Sequence, residues 1–381
     1  MRIVAIETIH VRRGITVHWG PIQWLWVRIH TDTGLVGLGE TYPRPDAEKA
    51  IVHHALAPVL LGRDPAEIDK LWLDMFRAVS YSGWGGAEMR AISAIDIALW
   101  DLAGKAANVP IYQLLGGASR QAIRTYNTCY DHIDFMKEPV RLARELKASG
   151  VNAMKIWPFD GVAIETGGNF ISADQMRQGL EPLRLIREEF GDSMDVAMEF
   201  HGYWNLPCAI KIAQALEAYS PMWLEEMLPQ DNLTAYRELA ATTSLPLCVS
   251  ERLMTRYGFR ELFENQAARI VMPDICWCGG ISEAKKIATM AETWYLPIAP
   301  HNCGGPVLHA ASLHLAANVP NLYILESVRR HYGDEYTGVI SNPMPLVNGS
   351  FPLPPGPGLG IELLPEVLNR PDVSVERSDL K

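Results

Sequence analysis

The feature that most constrains the fold is a rhythm of short apolar strands separated by amphipathic helices, which begins after Gly117. The pattern recurs eight times, and we predict strands at residues 123–129, 153–157, 196–201, 222–227, 247–251, 270–274, 297–301 and 323–326. Such alternation is typical of βαβ units, in which helices connect the parallel strands of one sheet. Eight consecutive units of about 25 residues each predict a closed (β/α)8-type barrel, a fold of the α/β class.

The parts of the chain outside the predicted barrel have other patterns. Residues 1–45 alternate as strands do, with a turn at residues 31–34, and residues 46–114 have the apolar spacing of helices. The last 50 or so residues are rich in Pro and Gly. We therefore expect an α+β capping domain over residues 1–117, a catalytic barrel over 118–328, and a C-terminal segment over 329–381 that returns to the cap.

The composition excludes several classes of function. Of the 381 residues, 34 are Lys or Arg and 44 are Asp or Glu, which gives a formal net charge of −10. A nucleic-acid partner is excluded because phosphate binding requires a basic stripe, and the basic residues are scattered. A membrane span is excluded because no stretch approaches the roughly 18 uninterrupted apolar residues that it needs. We expect a cytoplasmic protein, since the N-terminus enters an apparent strand without the apolar core of a signal peptide.

Charged side chains stand at the ends of the predicted barrel strands, where the active sites of such barrels lie. Residues i and i+2 share one face of a strand, so the apolar positions of residues 196–200 face the helices and Glu199 and His201 point inward. The same rule directs Lys155 and Trp157 into the mouth of the barrel. The other strand ends carry Glu225, Glu251, Asp274, His301 and Glu326. These side chains are therefore expected to ring one opening.

Three of these carboxylates, Glu199, Glu225 and Glu251, are spaced 26 residues apart, which is about one βα unit. Any one of them could be a solvated strand end, but three at the repeat spacing favour a shared role. Buried like charges repel unless a cation lies between them. An all-oxygen ligand set favours Mg²⁺ over zinc, which prefers His or Cys. The sequence therefore predicts a magnesium site.

The predicted proton-transfer groups come from neighbouring strands. We predict that His301 is a candidate base and that Asp274 orients it, because a carboxylate that accepts one ring N–H fixes the tautomer. His201 is either a support for the ligand two residues before it or a general acid. Lys155 in a dry barrel mouth requires neighbouring carboxylates or an anionic substrate. The residues alone leave open which of Lys155 and His301 is the base.

Residues that would contact the substrate are expected at the mouth and in the cap. His18, Trp19 and Trp84 lie in segments flanked by glycine, from which the cap could contact the distal end of a substrate. Trp157 and Arg252, next to the predicted catalytic and ligand positions, complete the candidates. Aromatic residues of this kind either stack on sugars or serve packing, and the sequence leaves both roles open.

In this order, these residues resemble the enolase superfamily, and specifically its mandelate racemase branch, over nearly the whole chain. The motifs that carry the resemblance are residues 94–101 and 114–117 in the cap and Trp223-Leu224-Glu225-Glu226, Pro273-Asp274 and Gly279-Gly280-Ile281 in the barrel. The resemblance implies Mg²⁺ ligation by Glu199, Glu225 and Glu251, and a catalytic dyad of His301 and Asp274. It also implies that Glu326 hydrogen-bonds the substrate carboxylate.

Four positions depart from the pattern of that branch. Trp157 replaces the second Lys of the Lys-x-Lys pair of racemases, Glu199 stands where Asp is common, and Met227 replaces the usual Pro. His201 stands where many members have Asn. The resulting Glu-x-His arrangement is similar to that of sugar-acid dehydratases acting on galactonate or mannonate.

The expected reaction begins with removal of the proton α to a carboxylate, followed by loss of water from a sugar acid (an aldonate or aldarate) to give a 2-keto-3-deoxy acid. Within the fold, the alternatives are a sugar-acid epimerase or racemase and a lactone cycloisomerase. A metal-dependent hydrolase would usually carry a His-x-His pair at the end of strand one, whereas residues 123–132 hold a single His. A non-enzymatic scaffold is a further alternative. We also expect the protein to be a homo-oligomer.

Overall fold

The computed structural model describes residues 1–12, 16–17, 20–130 and 132–381. The N-terminal part begins with strands that form the sheet of the cap: β1 (Ile3–Val11), β2 (Thr16–Val17), β3 (Gly20–Pro21), β4 (Trp24–Thr31) and β5 (Val36–Thr41). Strands β1, β4 and β5 are antiparallel neighbours. The helical half of the cap follows, with α1 (Asp46–Ile51), a π-helical turn (Val52–Leu56), α2 (Ala57–Leu60), α3 (Ile68–Val79), α4 (Ala87–Ala107) and α5 (Ile111–Leu114).

Helix α4 packs directly on the cap sheet. Its apolar residues recur at helical spacing, and Ile92, Ile95, Leu99 and Leu102 are all fully buried. The opposing strand β5 carries glycine at the contact, because a Cβ at Gly39 would lie 1.8 Å from the carbonyl oxygen of α4 residue 94. The close approach of helix and strand therefore depends on glycine.

The barrel is built from parallel strands that end on one side of the molecule. Its strands are β6 (Ala122–Thr128), β7 (Ala153–Ile156), β8 (Asp195–Glu199), β9 (Leu224–Glu225), β10 (Leu247–Val249), β11 (Ile270–Val271) and β12 (Leu325–Ser327). From β6 to β11 each strand pairs with the next in chain order, and β12 pairs in parallel with β6. The surrounding helices are α6 (Pro139–Ala148), α7 (Asp160–Thr166), α8 (Ala173–Phe190), α9 (Leu206–Leu216), α10 (Leu233–Ala240), α11 (Thr255–Glu264), α12 (Gly280–Thr293) and α13 (Pro306–Asn318).

The seventh predicted strand, residues 297–301, is reduced to isolated bridges. Ile298 bridges to Val271 and to Leu322, and His301 bridges to Asp274, all in the parallel sense. Prolines at positions 297 and 300 have no N–H to donate to a ladder, which explains the interruption. The bridges connect β11 to the segment that precedes β12. The fold is thus a (β/α)8-type barrel with an N-terminal α+β cap, as predicted.

Two hydrophobic layers confirm the predicted alternation of strand residues. Val196, Met198 and Phe200 belong to the large core between strands and helices. Ala197, between them, belongs to a separate cluster inside the barrel. The interior cluster is Tyr126, Ala153, Ala197, Met222, Trp223, Cys248, Ile270, Met272, Ala299 and Ile324. The interior is therefore packed, and polar residues gather at its carboxyl end.

The C-terminal segment contacts both the barrel and the cap. Strand β13 (Ser350–Pro352) is antiparallel to β6, and β14 (Val373–Asp379) is antiparallel to β1. Two further turns, the π-helical His331–Glu335 and the 3₁₀-helical Pro365–Asn369, lie in this segment. None of the helices in the described part of the chain combines the length and apolarity of a membrane span.

Candidate active site

A cavity of about 260 Å³ opens where the carboxyl ends of the barrel strands meet the cap. The cap supplies Ile22, Tyr42 and Pro43 to its wall. The barrel and the segment after it supply Thr128, Tyr130, Lys155, Trp157, Glu199, His201, Glu251, Trp277, His301, Cys303, Val328 and His331. The wall is therefore largely aromatic and apolar, with charged groups where the strands end.

Three carboxylates lie together where the barrel strands end, and two of them, Glu199 and Glu251, line this cavity. Glu199 and Glu225 end the adjacent strands β8 and β9 and are register partners, and Glu251 follows β10. One oxygen from each lies within 4.8 Å of the others, and all three side chains are buried. An all-oxygen set at this separation fits a hard divalent cation, which would offset the mutual repulsion of the carboxylates.

Lys155, at the end of β7, places its ammonium among carboxylates. It donates to Glu225, to Glu326 Oε1 at 2.8 Å, and lies 3.2 Å from Glu199 Oε2. Burial opposes ionisation of Glu326, but the positive charges of Lys155 and His301 outweigh it and lower the pKa of Glu326 to about 2. Lys155 therefore serves as a counter-charge for this end of the barrel.

His301 and Asp274 form a hydrogen-bonded pair. The Nδ1–H of His301 donates to Asp274 Oδ2 at 2.7 Å, and the isolated bridge between the two residues fixes their relative position. The hydroxyl of Tyr42, from the cap, donates to the same oxygen at 2.5 Å. Burial raises the pKa of Asp274, against the lowering effect of the His301 and Tyr42 hydrogen bonds. Because Nδ1 is engaged, Nε2 is the ring nitrogen left for proton transfer.

His201 is held from several sides. Its Nδ1–H donates to Asp160 Oδ2 at 2.6 Å, and its backbone N–H donates to Glu199 Oε1 at 2.8 Å. The guanidinium of Arg252 donates to its carbonyl oxygen at 2.8 Å. Burial lowers the pKa of His201, but the negative charges of Glu199 and Asp160 prevail and raise the pKa to about 9. This imidazole is therefore suited to donate a proton.

The structure brings most of the predicted site residues together. Those that line the cavity are Lys155, Trp157, Glu199, His201, Glu251 and His301. Three others do not line the cavity but hydrogen-bond or pair with Lys155 or His301, which do: Glu225, Asp274 and Glu326. Trp84 and Arg252 line a second, more open groove, together with Met254 and Tyr257. His18 and Trp19 lie outside the described residues.

Reasoning from the sequence missed several polar residues of the site. Tyr42 and Asp160 each hydrogen-bond a cavity-lining His or its partner, Thr128 donates to Glu326, and Cys303 lines the wall next to His301. Asp160 could have been found, because it follows β7 by four residues and so lies at the carboxyl end of the barrel. Tyr42 carries no such signal, since its position depends on how the cap docks.

Comparisons with known protein families identify both parts of the chain. Residues 13–116 match the N-terminal domain of mandelate racemase / muconate lactonizing enzyme. Residues 138–367 match the enolase C-terminal domain-like family. Together the two matches cover the cap and the barrel in the order that the fold shows.

Individual relatives match over nearly their full length. A D-galactonate dehydratase from Xanthomonas euvesicatoria is 35% identical over 368 residues, 94% of each chain, and one from Pectobacterium atrosepticum is 35% identical over 370 residues, again 94% of each. The crystal structure of an enolase of the mandelate racemase subgroup from Agrobacterium tumefaciens is 45% identical, with a TM-score of 0.92, and covers 100% of this chain and 99% of its own. The chain therefore belongs to the mandelate racemase / muconate lactonizing enzyme family of the enolase superfamily.

Proposed function

We propose that this protein is a hydro-lyase that dehydrates a sugar acid, an aldonate or aldarate, to a 2-keto-3-deoxy acid. The observation that carries the proposal is the presence of two histidines, His201 and His301, in the wall of one cavity, each with Nδ1 engaged by a buried carboxylate. Dehydration needs one group to remove a proton and another to donate one. The names of the D-galactonate dehydratases make D-galactonate the first substrate to test.

His301 is the base in this proposal. Asp274 fixes its orientation through Nδ1, and Nε2, which lies 3.5 Å from Glu251 Oε2, is the nitrogen left for the substrate in the cavity that His301 lines. Lys155, the other candidate, has its ammonium engaged by Glu225 and Glu326, with Glu199 at 3.2 Å. These carboxylate contacts assign Lys155 the role of balancing charge in this proposal, and they leave His301 as the base.

His201 is the acid. His301 takes the proton from C2, and the electron pair of that C–H bond becomes the C2=C3 double bond. The C3–O bond breaks, and the hydroxyl leaves as water with the proton that His201 Nε2 donates. The resulting enol loses the proton of its C2 hydroxyl to solvent and takes up a proton at C3, which gives the 2-keto-3-deoxy acid, and both imidazoles return to their starting states by exchange with solvent.

Glu199, Glu225 and Glu251 would hold a Mg²⁺ ion, because their oxygens are close together, buried and of the type that this ion prefers. When bound, Mg²⁺ supplies Lewis-acid stabilisation of the charge that develops on the substrate carboxylate. Stabilisation of developing charge is usually the largest single contribution to catalysis. Glu326 accepts from Thr128, from the backbone N–H of Asn302 and from Lys155, so in this proposal it holds Lys155 in place, and its hydrogen bond to the substrate carboxylate stays a prediction.

The test is a screen of aldonic and aldaric acids with purified protein and Mg²⁺, beginning with D-galactonate. Formation of a keto acid with loss of one water from the substrate mass is the expected result. Incubation in D₂O distinguishes the alternative, because an epimerase would place deuterium on C2 of the recovered acid without loss of water. That outcome for every active acid would overturn the dehydratase proposal. The cytoplasmic location and the homo-oligomeric state stay predictions.

A further inference from the structure

Asp160 is a buried carboxylate that contacts the candidate acid. It is the first residue of α7, immediately beyond the carboxyl end of the second barrel strand, and is 4% exposed. Its Oδ2 accepts the Nδ1–H of His201 at 2.6 Å, a distance that indicates a charge-assisted hydrogen bond. The environment of His201 thus repeats that of His301, where Asp274 accepts Nδ1–H at 2.7 Å.

We propose that Asp160 is a positioning residue for the elimination step: it holds the Nδ1 side of the His201 ring, so that Nε2 points into the cavity and reaches the leaving hydroxyl. The inference rests on the proposed function and deepens it, because it divides the reaction between two matched pairs. His301 with Asp274 removes the α-proton. His201 with Asp160 delivers the proton to the departing oxygen.

The residues that precede Asp160 and His201 in the chain pack against each other. Asp160 directly follows Phe159, and His201 directly follows Phe200. The two phenyl rings are fully buried and pack with centroids 5.6 Å apart. Phe159 lies against Gly179 of α8, where a Cβ would come within 2.3 Å of its ring. The aromatic contact therefore positions both polar residues.

The backbone of His201 is also held in place. Its φ is +50°, a left-handed conformation that residues other than glycine adopt uncommonly. Glu199 accepts its N–H and Arg252 donates to its carbonyl oxygen, so both backbone polar groups have partners. With the backbone held in this way, the carboxylate of Asp160 decides which edge of the ring faces the cavity.

The first test reads the position of the ring without substrate. In protein labelled with ¹⁵N-histidine and supplied with Mg²⁺, two-bond ¹H–¹⁵N NMR should report a protonated Nδ1 on His201, assigned by its loss in His201→Asn. Asp160→Ala removes the acceptor, so the Nδ1–H resonance of His201 should lose the downfield shift and slow solvent exchange of a short hydrogen bond, while the His301 signals are unchanged. An Nδ1–H of His201 that keeps its downfield shift and slow exchange in Asp160→Ala would overturn the inference.

The second test separates the two proton transfers. With an active sugar acid in D₂O, Asp160→Asn should lower kcat for keto-acid formation by about 100-fold or more, since a misdirected imidazole cannot protonate the leaving group. Exchange of the α-proton, which depends on His301, should stay within about twofold of wild type. Parallel loss of exchange and elimination would indicate a general structural defect and would also overturn the inference.

Two further variants complete the design. Glu165→Gln changes an exposed acid on the same helix and should leave both readouts at the wild-type level. Asp160→Glu keeps a carboxylate and should recover a measurable part of the elimination rate, which a packing role would not predict. If wild type dehydrates no sugar acid, the proposed function fails, while the NMR comparison still decides whether Asp160 positions His201.

Discussion

Tyr42 of the cap and Asp274 of the barrel are joined by a hydrogen bond of 2.5 Å, although 232 residues separate them in the sequence. The phenol and the Nδ1–H of His301 donate to the same carboxylate oxygen. Both side chains are buried, and the Tyr42 ring also lies 4.9 Å from that of Trp277, centroid to centroid. The cap therefore contributes directly to the orientation of the candidate base.

Tyr42→Phe should lower kcat by about tenfold, because a hydrogen bond to a charged group contributes roughly 1.5 kcal/mol, equivalent to about a factor of ten. KM should change little, because the substitution affects the orientation of His301 and Asp274 and not substrate binding. Tyr81→Phe, at a fully exposed tyrosine of the cap, is the matched control. Steady-state kinetics of both variants check this, and a kcat for Tyr42→Phe equal to that of the control would contradict it.

Asp274→Asn should lower kcat by on the order of 10³- to 10⁴-fold, since an amide no longer selects the Nδ1–H tautomer of His301. Metal binding should be retained, because the carboxylate trio is unchanged. Isothermal titration with Mg²⁺ and single-turnover rates measure the two properties separately. A rate within tenfold of wild type would show that His301 does not depend on this partner.

Glu225→Gln should weaken Mg²⁺ binding and abolish activity, since it replaces one ligand of the trio by a neutral amide. In wild type, a chelator should remove activity and added Mg²⁺ should restore it. At about 100 times the dissociation constant, the ion should raise the free energy of unfolding by about 2.7 kcal/mol. Glu217→Gln, at an exposed carboxylate, is the control. Equal Mg²⁺-induced stabilisation in both variants would argue against the assignment.

Two buried histidines of α13 make stability depend on pH. Burial lowers the pKa of His309 and of His314 to about 4, from 6.5 in an unfolded chain. Between those values the unfolded state binds more protons, so the free energy of unfolding falls as pH falls. Between pH 7 and pH 5 the loss should be roughly 2 kcal/mol for each residue.

Urea unfolding of wild type and His309→Gln at pH 7 and pH 5 isolates the contribution of His309, because other buried groups, among them Glu40 and Asp96 with pKa values raised to about 7, contribute equally to both proteins. His309→Gln removes one titrating group, so the change in its free energy of unfolding from pH 7 to pH 5 should be less negative than that of wild type by roughly 2 kcal/mol. His54→Gln, at an exposed position, should keep the wild-type dependence. A dependence in His309→Gln as steep as in wild type would exclude His309 as a source.

The periodic features of this protein could be read from the amino-acid sequence. The alternation along residues 196–201 predicted that Glu199 and His201 face inward, because the side-chain period of a strand is two residues. The 26-residue spacing of Glu199, Glu225 and Glu251 predicted that they meet, because parallel strands in a barrel end at one edge. Local periodicity and repeat length alone carry that information.

Features that depend on particular distant contacts were decided by the tertiary structure. The hydrogen bonds from His201 to Asp160 and from Tyr42 to Asp274 join residues 41 and 232 positions apart, and neither separation follows from the strand period or the βα repeat. Arg252, a candidate for substrate binding, donates to the backbone carbonyl oxygen of His201, a contact that the sequence did not predict. Each of these polar contacts depends on how separate elements pack, and that packing is a property of the whole fold.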